Sequence, residues 1–219
     1  MESYADKNIC QQIKTMLGRR EAVLDKNDGL WETAVLVPLV RHKGQVCVLF
    51  EVRSQKLAWQ PGDICFPGGK RDKKDKTLRN TAIRETCEEL GILSVDMEIY
   101  GELDYLVTQL GPILYPFLGI IHDFKQVKPN ADEVGEVFLV PLDALLQQKP
   151  RRVHMQLANK ASKDFPYDLL PEYPKEWNTR RGYDVYFYQY KKYVIWGMTA
   201  RILYGFLERL RGEINKKNP

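Results

Sequence analysis

Thr77-Leu78-Arg79-Asn80-Thr81-Ala82-Ile83-Arg84-Glu85-Thr86-Cys87-Glu88-Glu89-Leu90-Gly91-Ile92 is the stretch on which the reading of this chain turns. Ile83, Thr86, Cys87 and Leu90 recur at helical spacing, so Thr77 to Leu90 is expected to form a helix with one face packed on a sheet. Gly91 is the expected helix-ending residue. Glu85, Glu88 and Glu89 fall on another face, also at i, i+3 and i+4. Three like charges on adjacent turns repel one another, and a cation relieves that repulsion. Mg2+ is usually held by a few carboxylates together with substrate phosphates. A solvated acidic face paired with nearby Lys and Arg is the other reading of the same glutamates. The helix alone leaves both open.

Upstream, Pro61-Gly62-Asp63 to Phe66-Pro67-Gly68-Gly69 is dense in Gly and Pro and reads as a shaped loop. A run of charge, Lys70 to Lys76, joins it to the helix. Further back, Glu32 to Arg41 reads as a buried strand, Lys43-Gly44 as a turn, and Gln45 to Val52 as a returning strand. Residues 7–18 carry Ile9, Ile13, Met16 and Leu17 at helical spacing and predict a short N-terminal helix. Downstream, strands are expected at 97–109, 112–122 and 133–141, and a short helix at 142–147. The stretch 148–182, rich in proline and charge, reads as an irregular excursion. Asp184 to Tyr190 alternates as a strand. An apolar stripe of Ile195, Met198, Ile202, Leu203, Phe206 and Leu210 predicts a final helix over 194–212. Strands mixed with helices give an α/β class with a mixed sheet.

The bulk numbers bound the function. The chain has 219 residues, 44% of them apolar, which suffices for a single domain spanning 1–219. The net charge of +4 is mild and does not argue for nucleic acid, which calls for a clustered basic face. Cys10, Cys47, Cys65 and Cys87 lack metal-ligand spacing and are expected to be free, buried thiols of a reducing compartment, the cytoplasm. The polar start, Met1 to Asp6, is not a signal peptide. No run of about 18 apolar residues occurs, so no membrane span is expected. His42, His122 and His154 show no triad or ligand spacing and read as structural.

Arg84-Glu85-Thr86-Cys87-Glu88-Glu89-Leu90-Gly91-Ile92, preceded by Gly68-Gly69, resembles the fingerprint of the Nudix hydrolases: Arg-Glu, apolar, any, Glu-Glu, any, Gly, apolar. The resembling motif runs over 69–92. Its upstream loop is longer by one residue, its acid is Asp75, and Thr86 replaces an apolar residue. The longer loop resembles the coenzyme A pyrophosphatase branch. So does Leu49 to Gly69, with Arg53-Ser54, Gly62 and Phe66-Pro67-Gly68-Gly69 in register. Leu103-Asp104 with Thr108 and Gly111, and Ile195 to Arg201, also look like that branch. Ala58 stands where the branch has Arg, and Glu51 where it has Thr.

The resemblance implies an α/β/α sandwich around the mixed sheet and hydrolysis of a diphosphate bond in a nucleoside diphosphate derivative. It points to coenzyme A or an acyl-coenzyme A, giving phosphopantetheine or its acyl form and 3′,5′-ADP. ADP-ribose or another nucleotide diphosphate is the alternative, and a non-catalytic nucleotide-binding module the third reading. Mg2+ is the expected cofactor, with Mn2+ able to replace it. Glu85 and Glu89 are assigned as main metal ligands, and Glu88 as a further ligand or the holder of a metal-bound water. Arg84 is expected to orient the glutamates. Gly68 and Gly69 allow close approach of substrate and supply a carbonyl ligand. Glu136 is the candidate general base, with Glu133 behind it. Arg53 and Arg71 are candidate phosphate contacts, followed by Arg151, Arg152, Arg180 and Arg181. The partner is thus a small diphosphate. The excursion 148–182 is read as a cover for the active site or as the contact of a homodimer.

Overall fold

The computed structural model describes residues 4–18, 20, 30–108 and 111–217. Its scaffold is a mixed sheet in which β1 (Glu32–His42) is central. β1 pairs antiparallel with β2 (Gln45–Arg53) across the Lys43-Gly44 turn, and parallel with β7 (Ile113–Ile121) on its other side. β2 also pairs with β3 (Ile64–Cys65), and β1 with β4 (Gly68–Lys70). β5 (Met97–Glu102) and β6 (Leu106–Val107) extend the sheet from β7. β8 (Val134–Pro141) pairs with β2. The strand expected over 97–109 is therefore two strands, and Gln109 lies outside the described residues.

Period-two alternation explains the layers. On β1, Val35, Val37 and Leu39 face one core and Ala34, Leu36 and Val40 the other. On β2, Phe50 and Val52 share the first core and Leu49 the second. Burial on both faces produces the continuous apolar runs seen in the sequence. Helix α2 (Leu78–Leu90) covers the second core. Helices α3 (Leu142–Gln147) and α4 (Gly197–Lys217) cover the first, where Ile202, Leu203, Phe206 and Leu207 of α4 are buried. This is the expected α/β/α arrangement. The N-terminal helix α1 (Tyr4–Leu17) forms, and Ile9, Ile13, Met16 and Leu17 of its apolar stripe are exposed.

Two further expectations need correction. The stretch 148–182 is not irregular throughout. It contains β9 (Arg151–Asn159) and the first part of β10 (Asn178–Tyr190), which pair antiparallel. The final helix does not begin at 194. Residues Tyr193–Trp196 form β11, which pairs with β10, and α4 starts at Gly197, whose φ of +65° is left-handed. Tyr186, Tyr188 and Ile195 seat this second, three-stranded sheet on the α4 side of the molecule.

Candidate active site

α2 is fixed at both ends. Thr77 caps its N-terminus, accepting from the Asn80 backbone N–H at 3.2 Å. At the other end the N–H groups of Lys128 and Asn130 donate to the carbonyls of Leu90 and Glu89, at 2.8 and 2.9 Å. The buried side of α2 is formed by Thr81, Ala82, Thr86, Glu89 and Leu90, while Ile83 and Cys87 are only half-buried. The packed face is thus rotated from the one expected, and Glu89 is part of it.

The three glutamates have unlike surroundings. Glu89 is 6% exposed, and its Oε2 accepts the Gly68 N–H at 2.7 Å. Burial, then the nearby charge of Glu51, pushes its carboxyl up to about 9. Glu85 is mostly buried, and burial raises its carboxyl as well. A Cβ on Gly69 would lie 2.6 Å from Glu85 Oε1, so glycine there admits the carboxylate. Gly68 has φ +152°, and a Cβ would meet Val35. Glu88 is exposed and pairs with Arg84 at 3.0 Å.

Arg84 organises this face. Its Nε and Nη2 donate to the two carboxylate oxygens of Asp75, at 3.1 and 2.9 Å, and Nη1 reaches Glu85 at 2.8 Å. Asp75 is buried and also accepts from Thr81 Oγ1 and the Asp72 N–H. The Arg84 hydrogen bonds hold its carboxyl well below the usual carboxylate range. Asp75 is therefore the anchor of the arginine that orients the glutamates.

Glu136, expected as the base, is displaced from the site. It shares the face of β8 used by Phe138, on the α4 side. There its carboxylate accepts from Tyr193 Oη at 2.5 Å and from Lys192 Nζ at 3.2 Å. The Tyr193 hydrogen bond, with Lys192, lowers its pKa. Glu133 lies toward α2, where its charge bears on Glu51, Glu85 and Glu89. Arg71 is likewise committed elsewhere. It donates to Glu32 at 3.2 Å and to the carbonyls of Asp75 and Lys76, bracing the loop. Arg53 donates to the Trp59 carbonyl and lines a cavity of about 270 Å³ that opens beside Gly68, with Phe66, Leu114, Trp196 and Met198. Arg151, Arg152 and Arg180 belong to the second sheet, where Arg152 pairs with Asp184 and Arg180 bonds Asn159. Arg181 lies in β10 of the same sheet.

Glu51, which the sequence marks only as a departure from the branch, lies beside these carboxylates. It is 1% exposed and accepts from the Cys65 thiol at 3.2 Å. Burial pushes it up to about 7. Its parity with Leu49 on β2 was the available signal, since that face meets α2. The cysteines are all free, but only Cys47 is buried; Cys65 and Cys87 are half-buried and Cys10 is exposed.

Among the described residues, no three carboxylate, thiol or imidazole groups converge as a ready cation cage. The donor set still fits a hard divalent ion, because such an ion takes one or two carboxylates and leaves its other positions to water and substrate phosphate. Buried carboxylates whose charged form is disfavoured first by burial and then by nearby like charge are such a set.

Comparison with known proteins bears on the family. The NUDIX domain model matches residues 30–158. The chain is 38% identical over 152 residues to the peroxisomal coenzyme A diphosphatase NUDT7 of Mus musculus, covering 69% of this chain and 62% of that protein. It is 32% identical over 173 residues to the uncharacterized Nudix hydrolase NudL of Pectobacterium atrosepticum, covering 79% of each. With the mitochondrial coenzyme A diphosphatase NUDT8 of Homo sapiens it shares 39% over 117 residues, 52% of this chain and 50% of that one. The chain thus spans less than two thirds of either named diphosphatase. Among the described residues, no helix is long and apolar enough to cross a membrane.

Proposed function

The chain belongs to the Nudix family, and from that premise we propose that it hydrolyses the diphosphate bond of coenzyme A or an acyl-coenzyme A, releasing phosphopantetheine or its acyl form and 3′,5′-ADP. The observation that carries the reading is the pair Glu85 and Glu89, drawn against Gly68-Gly69 and oriented by Arg84 on Asp75. The named activities of the two mammalian relatives support the choice of substrate.

Glu85 and Glu89 would hold a divalent cation, with Glu88 at its exposed side. Mg2+, or Mn2+ with similar oxygen preference, supplies charge neutralisation at the phosphates and an acidified water. Gly68 donates its N–H to Glu89 and so aims that carboxylate. Arg84 keeps Glu85 and Glu88 from turning away from each other's neighbourhood. Glu133, rather than Glu136, takes the proton of the attacking water as the water oxygen bonds phosphorus and the bridging P–O bond breaks. Arg53, which lines the cavity beside Gly68, contacts the substrate.

ADP-ribose or another nucleotide diphosphate is the second reading. Ala58 in place of an arginine, and Arg71 bound to Glu32, both reduce the cationic groups left for a 3′-phosphate. Leu169, Leu170 and Trp177 are exposed between β9 and β10, which supports a homodimer contact there, to be read by sedimentation. A cytoplasmic location rests on the free cysteines; relatives named as peroxisomal and mitochondrial make imaging of the tagged chain the deciding observation.

The test is product mass analysis with Mg2+ on coenzyme A beside ADP-ribose. Phosphopantetheine and 3′,5′-ADP, absent with Glu89→Gln, are expected. Cleavage of ADP-ribose alone would select the second reading. Tight binding without cleavage of any diphosphate would select a non-catalytic module.

A further inference from the structure

Glu51 occupies a position on β2 where the strand otherwise carries Leu49, Phe50 and Val52. Alternation sends Phe50 and Val52 to the α4 side and Glu51, with Leu49, to the α2 side. Its Oε1 accepts from Cys65. Its Oε2 is buried and meets no hydrogen-bond partner. Such an orphan is uncommon, since buried polar groups are paired and buried charges are paired or coordinate metals.

The neighbours sharpen the problem. Glu89, itself 6% exposed, and Glu133 bear on the same space with like charge. Arg53 is the cation acting on Glu51, and its guanidinium donates to the Trp59 carbonyl through Nε and Nη2, at 3.2 and 3.1 Å. Nothing among these contacts supplies Oε2 with a donor. A cation small enough to sit between strand and helix would give Oε2 the partner that these contacts do not supply.

We propose that Glu51 and Glu89 hold a second divalent cation between β2 and α2, distinct from the one assigned to Glu85. Two carboxylates, with waters and a substrate phosphate oxygen completing the shell, are the donors that Mg2+ or Mn2+ takes. Cys65 occupies Oε1 and leaves Oε2 to the ion. The proposal rests on Glu89 being a metal ligand, which belongs to the family reading above. Glu51 itself stands where the related branch carries threonine.

The test is direct binding of Mn2+ to the full chain without substrate, counted from the free-ion paramagnetic resonance signal. Wild type is expected to bind one more Mn2+ per chain than Glu51→Gln. Glu85→Gln is expected to keep the ion that Glu51→Gln loses. Equal counts for wild type and Glu51→Gln overturn the proposal and leave the family site standing. No binding by any of the proteins overturns both. Glu51→Thr repeats the comparison should the glutamine variant fail to fold. Crystals of the unaltered chain soaked in Mn2+ test it without substitution: an anomalous peak within bonding distance of Glu51 Oε2 is expected, and a water there overturns it.

Discussion

Glu89 is a carboxylate held where a carboxylate is costly, beside Glu51 and under α2. Glu89→Gln keeps the shape and removes a carboxyl whose charged form burial disfavours, so the melting temperature should hold or rise. Turnover should fall on the order of 100-fold or more, because a group that meets the reacting centre is lost. A variant with wild-type kcat would sink the assignment. Glu133→Gln and Glu136→Gln make a matched pair. The first should lower kcat by a similar order; the second should leave it near wild type, since Glu136 engages Tyr193 and Lys192 instead. Asp75 is tested by acid. Its folded carboxyl lies below the unfolded value of about 3.9. The stability it contributes is present above that value and is lost as pH falls through the folded one. Asp75→Asn should cost about 1.5–3 kcal/mol at pH 7, and the gap to wild type in urea should narrow toward pH 3. Arg84, Glu85, Glu88 and Glu89 were legible because they stand in one short motif. The contacts of Glu51 and Asp75 were not, because their partners are brought to them by the sheet and by a loop.

At the scale of elements, α2 is held by its ends as much as by its face. Thr77→Ala removes the cap and should cost about 1 kcal/mol, seen as a lower urea midpoint with unchanged slope. The same variant should keep its kcat, since Leu90 and Glu89 stay tied to Lys128 and Asn130. A loss of kcat beyond about twofold would mean that the cap also sets the glutamates, contrary to the ordinary scope of a cap. The strands β1, β2, β7 and β8 were readable because burial on one or both faces imposes a pattern on the sequence. β9 was not. It is exposed along most of both faces, so no alternation marks it, and only pairing with β10 makes it a strand. The start of α4 was misplaced because Ile195 and Met198 fall at helical spacing from Ile202. Ile195 in fact belongs to a strand that ends before Gly197.

Across the whole molecule, stability is unevenly spread. β1, β2 and β7 are buried on both faces and should exchange their amide hydrogens only on global unfolding. β9 and residues 160–177 should exchange on the order of 100-fold faster or more. Mass-detected exchange would show it, and uniform protection would contradict the layering described here. The parallel union of β1 with β7 has a further consequence. It sets Glu32 beside Ile113 and Val40 beside Ile121. Glu51, Gly68, Asp75, Arg84, Glu85 and Glu89 all lie in the length of chain looped out between those strands. Closing so long a loop sets the pace of folding, because its entropy is lost before distant contacts repay it. The carboxylates crowd together only afterwards. Substitutions among them should therefore change how long the folded protein lasts before it opens, and leave the speed at which it forms almost untouched.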